Sequence, residues 1–346
     1  MSSTMYVVLI SSLSTGTIIT MSSHHWLLAW LGLEINTLAM IPIITKPHHP
    51  RATEAATKYF LTQAAAAALI LFASTTNAWQ TGQWTIMQPM GPLPTLMLVL
   101  AIAMKLGIAP AHLWLPDVIQ GSTMTTALIM STWQKLAPLA LLYYTTNHLP
   151  PNIMLMLGLT SALLGSWTGL NQTQTRKIMA FSSIAHMGWL TTTFALSQSL
   201  TTLTLLTYLT LTTTTFITLT MTSTKTITDM GTSWSYSPTL LTLMMMTLMS
   251  LGGLPPLTGF TPKWLIIKEL TQHQLVVMAT TLALTSLPSL FFYMRMAYFT
   301  TLTTPPQTTH TQHKWRFKTN LPKPLPTTLI TTLLTLPLTP MIYTTI

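Results

Sequence analysis

The chain has 346 residues, a formal net charge of +10 and no cysteine. Its mean hydropathy is +0.49 and only 6% of its side chains are charged, against roughly 25% in typical soluble domains. These values exclude an ordinary soluble protein. The missing cysteine also excludes disulfides, thiolate-bound zinc and cysteine-held iron–sulfur clusters. Because the sequence contains no phosphate-binding glycine motif either, we expect any redox or nucleotide chemistry to take place on another chain.

Apolar segments of the length that crosses a bilayer, about 20 residues, recur along the whole sequence. We therefore predict an all-α polytopic membrane protein with about 11 transmembrane helices. The predicted spans, in chain order, are residues 5–21, 26–45, 58–77, 95–115, 123–144, 152–170, 177–196, 200–222, 239–260, 275–299 and 325–343.

The basic residues test this count of spans. Eleven of the 15 lysine and arginine residues flank even-numbered loops, and a miscounted span would scramble that segregation. The eleven are Lys46, Arg51, Lys58, Arg176, Lys177, Lys225, Arg295, Lys314, Arg316, Lys318 and Lys323. Because basic loops favour the interior side, we expect the N-terminus there and the C-terminus on the opposite side. The charge thus indicates membrane orientation and not binding to nucleic acid.

Two spans combine a lysine with residues that break helices. Span four has Lys105 with Pro110 and Pro116, and span nine ends in GGLPPLTGFTPK, which includes Lys263. Proline lacks an N–H, so the helix must bend or open there. Lysine-bearing broken helices at matching places in two inverted halves indicate a transport path. We predict one transmembrane domain, residues 1–346. Its predicted parts are a first inverted half at 1–148 (spans one to five), a second at 149–300 (spans six to ten), and a basic loop with a final extra helix at 301–346.

Glu34, Lys105 and Lys135 are ionisable residues near the middle of apolar spans. A charge in hydrocarbon costs at least a few kcal/mol, so such residues are candidates for a proton path. A carboxylate at membrane depth either protonates or finds a cation, and the two lysines are the cations on nearby spans. We predict that a change in the electrostatic influence of the carboxylate makes a nearby lysine bind or release a proton. The alternatives are a structural ion pair between helices and lysines that extend to the membrane interface.

Three more residues are candidates for the same path. Lys263 is either a loop lysine at the outer surface or the exit group of the path. His112 follows Lys105 by seven residues, or two helical turns, which predicts that both project from one helix face. His186, within span seven, is a candidate proton relay, and a hydrogen-bonded packing role is an open alternative.

The remaining notable residues are interpreted without a catalytic role. Asp117 and Glu54 are expected to be solvated caps or loop ion pairs, since Glu54 has Arg51 and Lys58 as neighbours. The methionines and tryptophans are interpreted as core filling and interfacial anchors. We therefore predict no bound metal and no cofactor on this chain.

Three strings, KLGIAPAHLWLPDV, RKIMAFSSIAHMGW and GGLPPLTGFTPKW, together resemble the antiporter-like membrane subunits of respiratory complex I and the related Mrp-type cation/proton antiporters. With HHWLLAWLGLEINTLAMIPI near the start, the resemblance covers nearly the whole chain and is closest to mitochondrial members. The family has a glutamate–lysine pair and a second lysine in the first half, and a lysine on the broken helix of the second half. These match Glu34, Lys105, Lys135 and Lys263. His112 and His186 fall on histidines of the family motifs.

The resemblance implies a proton-translocating subunit of NADH:ubiquinone oxidoreductase that performs no redox chemistry itself. Flavin, iron–sulfur clusters and quinone are then expected on other subunits, and the expected partners are neighbouring antiporter-like subunits and membrane lipids. It also implies the mitochondrial inner membrane, with the N-terminus in the matrix and the C-terminus in the intermembrane space. Bacterial relatives carry further helices before the glutamate span, which this chain lacks. Two alternatives stay open: a stand-alone cation/proton antiporter and a structural membrane spacer.

Overall fold

A computed structural model describes residues 3–233, 237–301, 322 and 324–345. Within these residues the regular structure is helical, apart from two isolated bridges between loops. This confirms the all-helical membrane fold predicted from the sequence. The chain divides into two compact units, Met1–Ser161 and Ala162–Ile346, and the boundary between them falls inside a helix.

The first unit contains the helices that surround Glu34, Lys105 and Lys135. They are α1 (Ser3–Ser22), α2 (Trp26–Thr45), α3 (Pro50–Thr81), α4 (Pro92–Leu106), α5 (Trp114–Gly121), α6 (Met124–Ser131), α7 (Trp133–Thr145) and the first part of α8 (Pro151–Gly169).

The second unit contains the end of α8 and the helices that surround His186 and Lys263. They are α9 (Thr175–Thr193), α10 (Gln198–Thr222), α11 (Ile227–Thr232), α12 (Pro238–Gly252), α13 (Phe260–Gln272), α14 (Val276–Thr301), α15 (Pro324–Leu334) and α16 (Thr339–Thr345).

Five helices are long and apolar enough to cross a membrane, namely α1, α2, α3, α10 and α14. The pair α15 and α16 makes a sixth if it is counted as one span, although it is bent by 63°. The described part of the chain is thus a multi-pass membrane protein. The total of about 11 spans stays a prediction.

Small residues let the first two helices approach closely. A Cβ atom on Gly16 would lie 2.9 Å from the carbonyl oxygen of Gly32, and one on Gly32 would lie 2.6 Å from Cγ2 of Thr20. Only glycine permits this spacing, which is a common way of packing helices in lipid. The close contact fixes α2, and with it Glu34, against α1.

In the first unit, odd-numbered loops meet at one end of the helices and even-numbered loops meet at the other. The backbone N–H of Trp26 donates to the carbonyl of Trp84 at 3.1 Å, which joins loops one and three. At the other end, Lys58 at the start of span three donates to Asp117 at the end of span four, at 2.8 Å. Both contacts agree with helices that cross in alternating directions.

Even-numbered loops also meet one another in the second unit. The N–H of Thr175 donates to the carbonyl of Lys225 at 3.1 Å, which joins loops six and eight. Arg295 donates to the carbonyl of Leu170 at 2.8 Å and therefore contacts the start of loop six. Lys225 lies on loop eight, and Arg295, within α14, reaches loop six, so both lie where even-numbered loops meet. Lys314, Arg316, Lys318 and Lys323 lie outside the described residues.

Spans four and nine are broken, as predicted. In span four, α4 ends at Gly107 with φ of 70°, and residues 107–113 form no helix. The expected break at Pro116 is wrong, because Pro116 lies in the first turn of α5, where a missing N–H costs no helix bond. His112 therefore lies outside both helices, and the predicted two-turn spacing between Lys105 and His112 is also wrong.

The structure differs from the predicted spans at three further places. Span five is divided at Thr132, where neither proline nor glycine signals a break. Residues 260–272, assigned to loop nine, form α13. The final span bends at Leu336–Leu338, because Pro337 and Pro340 cannot supply the N–H groups that a continuous helix needs.

Candidate functional site

Lys105 and Lys135 line one small cavity in the first unit. Its volume is about 20 Å³, enough for one water molecule. Only 6% of Lys105 and 2% of Lys135 are exposed. The polar residues that share the cavity wall are Asn36 and Thr37 of α2, Tyr59 and Gln63 of α3, and Gln134 of α7. The predicted burial of both lysines is confirmed, and extension to an interface is excluded for them.

The break in span four holds Lys105. This residue is in the last turn of α4, at the carbonyl end of the helix, and its Nζ makes no hydrogen bond within the described part of the chain. The indole N–H of Trp114 donates to the carbonyl of Met104 at 3.0 Å, so α5 is fixed against the end of α4. A buried ammonium without a protein acceptor lowers stability. Its position is therefore explained by function better than by stability.

Glu34 does not contact Lys105. Its carboxylate accepts a hydrogen bond from the hydroxyl of Thr37 at 2.8 Å, and Thr37 lines the cavity. Within the described residues, ion pairs of 4.0 Å or less involve Lys58 and not Glu34, so the alternative of a structural ion pair between Glu34 and a lysine is not observed. Thr37, three residues on, lies on the same helix face and is the residue that both bonds Glu34 and lines the cavity.

Lys135 lies in the first turn of α7, directly after the interruption at Thr132. Its backbone N–H donates to the carbonyl of Thr132 at 3.3 Å. Lys135 is thus at the amide end of a helix, whereas Lys105 is at the carbonyl end of one. The two lysines of this cavity therefore belong to helix ends whose partial charges have opposite sign.

Lys263 lines a second small cavity, of about 30 Å³, in the second unit. It is 9% exposed, so the alternative of a surface loop lysine is wrong. Its Nζ donates to the carbonyl of Gly252 at 2.8 Å and reaches that of Leu251 at 3.5 Å. These carbonyls end α12, and Gly253 follows with φ of 86°. Lys263 therefore caps the helix that precedes the break.

His186 shares the cavity of Lys263, whereas His112 does not line the cavity of Lys105. The Nε2 atom of His186 is 3.2 Å from the hydroxyl of Tyr293, a hydrogen bond, and the Tyr208 ring lies 5.8 Å from the His186 ring. His112 is 6% exposed, and its Nδ1 makes no hydrogen bond to the described residues. The structure therefore brings one of the two candidate relays to a lysine.

Several cavity residues escaped the sequence analysis. Tyr59 and Gln63 are four residues apart, and a polar pair at this spacing in an apolar span signals a polar helix face. Asn36 is 2% exposed and its side-chain amide makes no hydrogen bond within the described chain, although it follows Glu34 closely. Tyr208 and Tyr293 had no such signal, because tyrosine is also common at membrane interfaces.

Comparisons with known proteins agree with this architecture. Residues 23–289 match the family described as NADH:quinone oxidoreductase/Mrp antiporter, and residues 290–343 match the NADH dehydrogenase subunit 2 C-terminus. The chain is 52% identical over 339 residues to NADH-ubiquinone oxidoreductase chain 2 of Carassius auratus, covering 98% of this chain and 97% of that protein. The same protein of Xenopus laevis is 52% identical over 317 residues, covering 92% of both chains.

Solved structures give the same picture. A chain of respiratory complex I from Thermus thermophilus matches with a TM-score of 0.85 and 26% identity, covering 98% of this chain and 79% of that chain. A chain of the Mrp complex from Dietzia matches with a TM-score of 0.77 and 16% identity, covering 84% of this chain and 59% of that chain, and shows a shared fold. The chain therefore belongs to the NADH:quinone oxidoreductase/Mrp antiporter family of membrane subunits.

Proposed function

We infer that this chain is an antiporter-like core membrane subunit of a proton-translocating NADH:ubiquinone oxidoreductase. One observation carries the inference: each compact unit encloses a small cavity that a lysine, more than nine-tenths buried, shares with polar side chains. Each cavity lies at an interrupted helix. Broken helices with ionisable residues are a common basis for ion transfer at membrane depth. The 52% identity to chain 2 of this enzyme in Carassius auratus and Xenopus laevis supports the assignment.

The mechanism we propose begins at Glu34. A charge change in a neighbouring subunit alters the field of Glu34, which Thr37 links to the cavity of Lys105 and Lys135. That field changes the affinity of Lys105 for a proton, and the change at Lys105 then acts on Lys135. In the second unit Lys263 exchanges protons with His186 as the relay. His112, in the break of span four, is a candidate relay outside the first cavity.

The energy source and surroundings belong to the same proposal. Electron transfer from NADH to quinone takes place on other subunits, which hold the flavin, the iron–sulfur clusters and the quinone. The chain lies in the mitochondrial inner membrane with its N-terminus in the matrix and its C-terminus in the intermembrane space, next to other antiporter-like subunits and lipids. The segregation of basic residues to even loops supports this orientation.

Substitution of the buried lysines tests the proposal. In the assembled enzyme reconstituted into liposomes, Lys105→Met and Lys263→Met are expected to lower proton translocation by about tenfold or more, since proton-transfer groups commonly contribute at least that much. The exposed Lys225→Met is the matched control and should pump normally. Normal proton stoichiometry in both buried-lysine variants would contradict the proposed function.

A stand-alone cation/proton antiporter is the second candidate, favoured by the shared fold with a chain of an Mrp complex. Expression of this chain alone in vesicles under an imposed sodium gradient separates the two functions. Proton exchange without partner subunits would favour the antiporter. A purely structural spacer is disfavoured by Lys105, whose buried ammonium pairs with no described group.

A further inference from the structure

An open pocket lies next to the cavity of Lys105 and Lys135. It is about 250 Å³ in volume and is formed by the first turns of α3 and the last turns of α5. The ammonium of Lys58 bonds the carboxylates of both Glu54 and Asp117 at 2.8 Å. Between 43% and 61% of these side chains is exposed, so water reaches them. Exposed ion pairs add about 1 kcal/mol or less to stability, so this cluster contributes little to the stability of the fold.

The pocket and the lysine cavity follow one another along the same two helices. On α3, Ala55 lines the pocket and Tyr59, one turn further on the same face, lines the cavity. On α5, which runs the other way, Asp117 lines the pocket and Trp114 lines the cavity. The helices are tightly packed at the pocket end, because a Cβ on Gly121 would lie 2.7 Å from Cβ of Ala55. The two spaces therefore share one groove.

An aromatic pair closes the groove between the two spaces. The rings of Tyr59 and Trp114 meet edge to face with centroids 5.8 Å apart, and the residues are 2% and 8% exposed. The indole of Trp114 is held by its hydrogen bond to the carbonyl of Met104, the neighbour of Lys105. Behind the rings, Lys105 and Asn36 present buried polar atoms without a partner among the described residues. The two rings thus separate the water-accessible, charged pocket from the unpaired polar atoms of Lys105 and Asn36.

The pocket lies at the charged start of α3. α3 has 32 residues and is therefore about 48 Å long, against a hydrocarbon thickness of about 30 Å. Because Arg51, Glu54 and Lys58 all lie in its first turns, we place these turns past the membrane core on the side of loop two. The other groups that titrate or carry charge there are Arg51, which lines the pocket, and His49, whose Nδ1 accepts from the N–H of Arg51 at 3.1 Å.

We propose that the pocket of Glu54, Lys58 and Asp117 is the proton uptake site of the first unit, and that Tyr59 and Trp114 form its gate. The proposal rests on the proposed function. A carboxylate takes a proton from bulk water and becomes a carboxylic acid. When the rings part, a water molecule carries the proton inward, the neutral amine of Lys105 becomes an ammonium, and the carboxylate is restored.

Removal of both carboxylates tests the uptake site. Free protons are scarce in alkaline medium, so the double variant Glu54→Gln and Asp117→Asn should lose turnover several-fold more steeply than the parent enzyme as the pH rises above neutral. The side chains are exposed, so the assembled enzyme should still fold. Asp229→Asn is the matched control on α11. Hydrogen bonds from Thr226, first from its backbone N–H, hold the pKa of Asp229 below its usual range, so it is ionised throughout. An unchanged pH profile in the double variant would overturn the uptake site.

Substitution of Tyr59 tests the gate. Tyr59→Phe keeps the ring and should leave liposomes with reconstituted enzyme as proton-tight as the parent. Tyr59→Ala removes the ring and should collapse an imposed pH gradient several-fold faster, provided that the complex assembles. If Tyr59→Ala prevents assembly, Trp114→Phe serves instead: it removes the bond to Met104 and should increase the leak moderately. A tight membrane in every assembled gate variant would contradict the gate.

The two proposals fail in different ways. If Lys105→Met abolishes proton translocation but the carboxylate variant keeps the parent pH profile, only the uptake site is wrong. If Lys105→Met and Lys263→Met both pump normally, the proposed function is wrong, whatever the carboxylates do.

Discussion

The two lysine cavities hold their ammonium groups in different ways. Both lysines lie beside a helix that ends in a glycine with positive φ, Gly107 at 70° and Gly253 at 86°. Lys105 precedes its break and makes no hydrogen bond within the described chain, whereas Lys263 follows its break and donates to the carbonyl of Gly252. A lysine beside a helix that ends in glycine thus has no hydrogen-bond partner in the described residues of the first unit and a carbonyl partner in the second. An unbonded ammonium responds to a moving charge more readily than a bonded one.

Replacement of the two lysines should give the largest effects, and the change in stability should differ between Lys105 and Lys263. Lys263→Met leaves the carbonyl of Gly252 without its charged donor and should destabilise the assembled complex by about 1–3 kcal/mol. Lys105→Met removes an ammonium with no acceptor and should be neutral or stabilising. The melting temperatures of the assembled variants measure the difference.

The exposed Lys268→Met on α13 controls for loss of a positive charge on the same helix as Lys263. Equal destabilisation by Lys105→Met and Lys263→Met would contradict the proposed difference in how the two ammonium groups are bonded.

Alanine at the two glycines sharpens the comparison. A side chain at positive φ costs about 1–2 kcal/mol, so Gly107→Ala and Gly253→Ala should both destabilise. At Gly107 the nearest atoms to a Cβ belong to Leu115 at 3.4 Å, which is ordinary contact. At Gly253 the Cδ and Nζ atoms of Lys263 lie at 3.0 Å. Gly253→Ala should therefore also displace the ammonium and lower proton translocation more than Gly107→Ala does.

Pumping rates of the two alanine variants, measured in liposomes at equal enzyme content, decide this prediction. A larger loss for Gly107→Ala would show that the positive φ matters more than the contact with Lys263.

Removal of single hydroxyl groups should give the smallest effects. Thr37→Val deletes the link between Glu34 and the first cavity, and Tyr293→Phe deletes the partner of His186 in the second unit. One hydrogen bond contributes about 1 kcal/mol, so each variant should slow pumping several-fold at most. Because Thr37→Val keeps the carboxylate of Glu34 in place, a rate reduced but not abolished is expected.

The control for these variants is Thr215→Val, a buried threonine whose hydroxyl bonds carbonyls of its own helix, α10. It should leave the pumping rate unchanged. If Thr215→Val slows pumping as much as Thr37→Val, the effect comes from helix packing and not from Glu34.

Much of the fold was predictable because lipid leaves few choices. Apolar segments of spanning length must be helical to satisfy their backbone, and proline after glycine marks a break, so the broken spans with Lys105 and Lys263 were predicted correctly. The break at Thr132 was not predictable, because no proline or glycine marks it and tertiary packing decided it. The helix at 260–272 was missed although Gly259 precedes it and Pro262 lies in its first turn.

By itself, the sequence singled out Glu34, Lys105 and Lys135 as ionisable side chains within apolar spans, and it left Lys263 between a surface loop and the path. A charge in hydrocarbon is costly enough to stand out against any apolar background. Which groups those charges face was decided only by the tertiary structure. Thr37 stands between Glu34 and the cavity, and the Gly252 carbonyl takes the ammonium of Lys263, because contacts between distant residues depend on how the helices pack and not on their spacing along the chain.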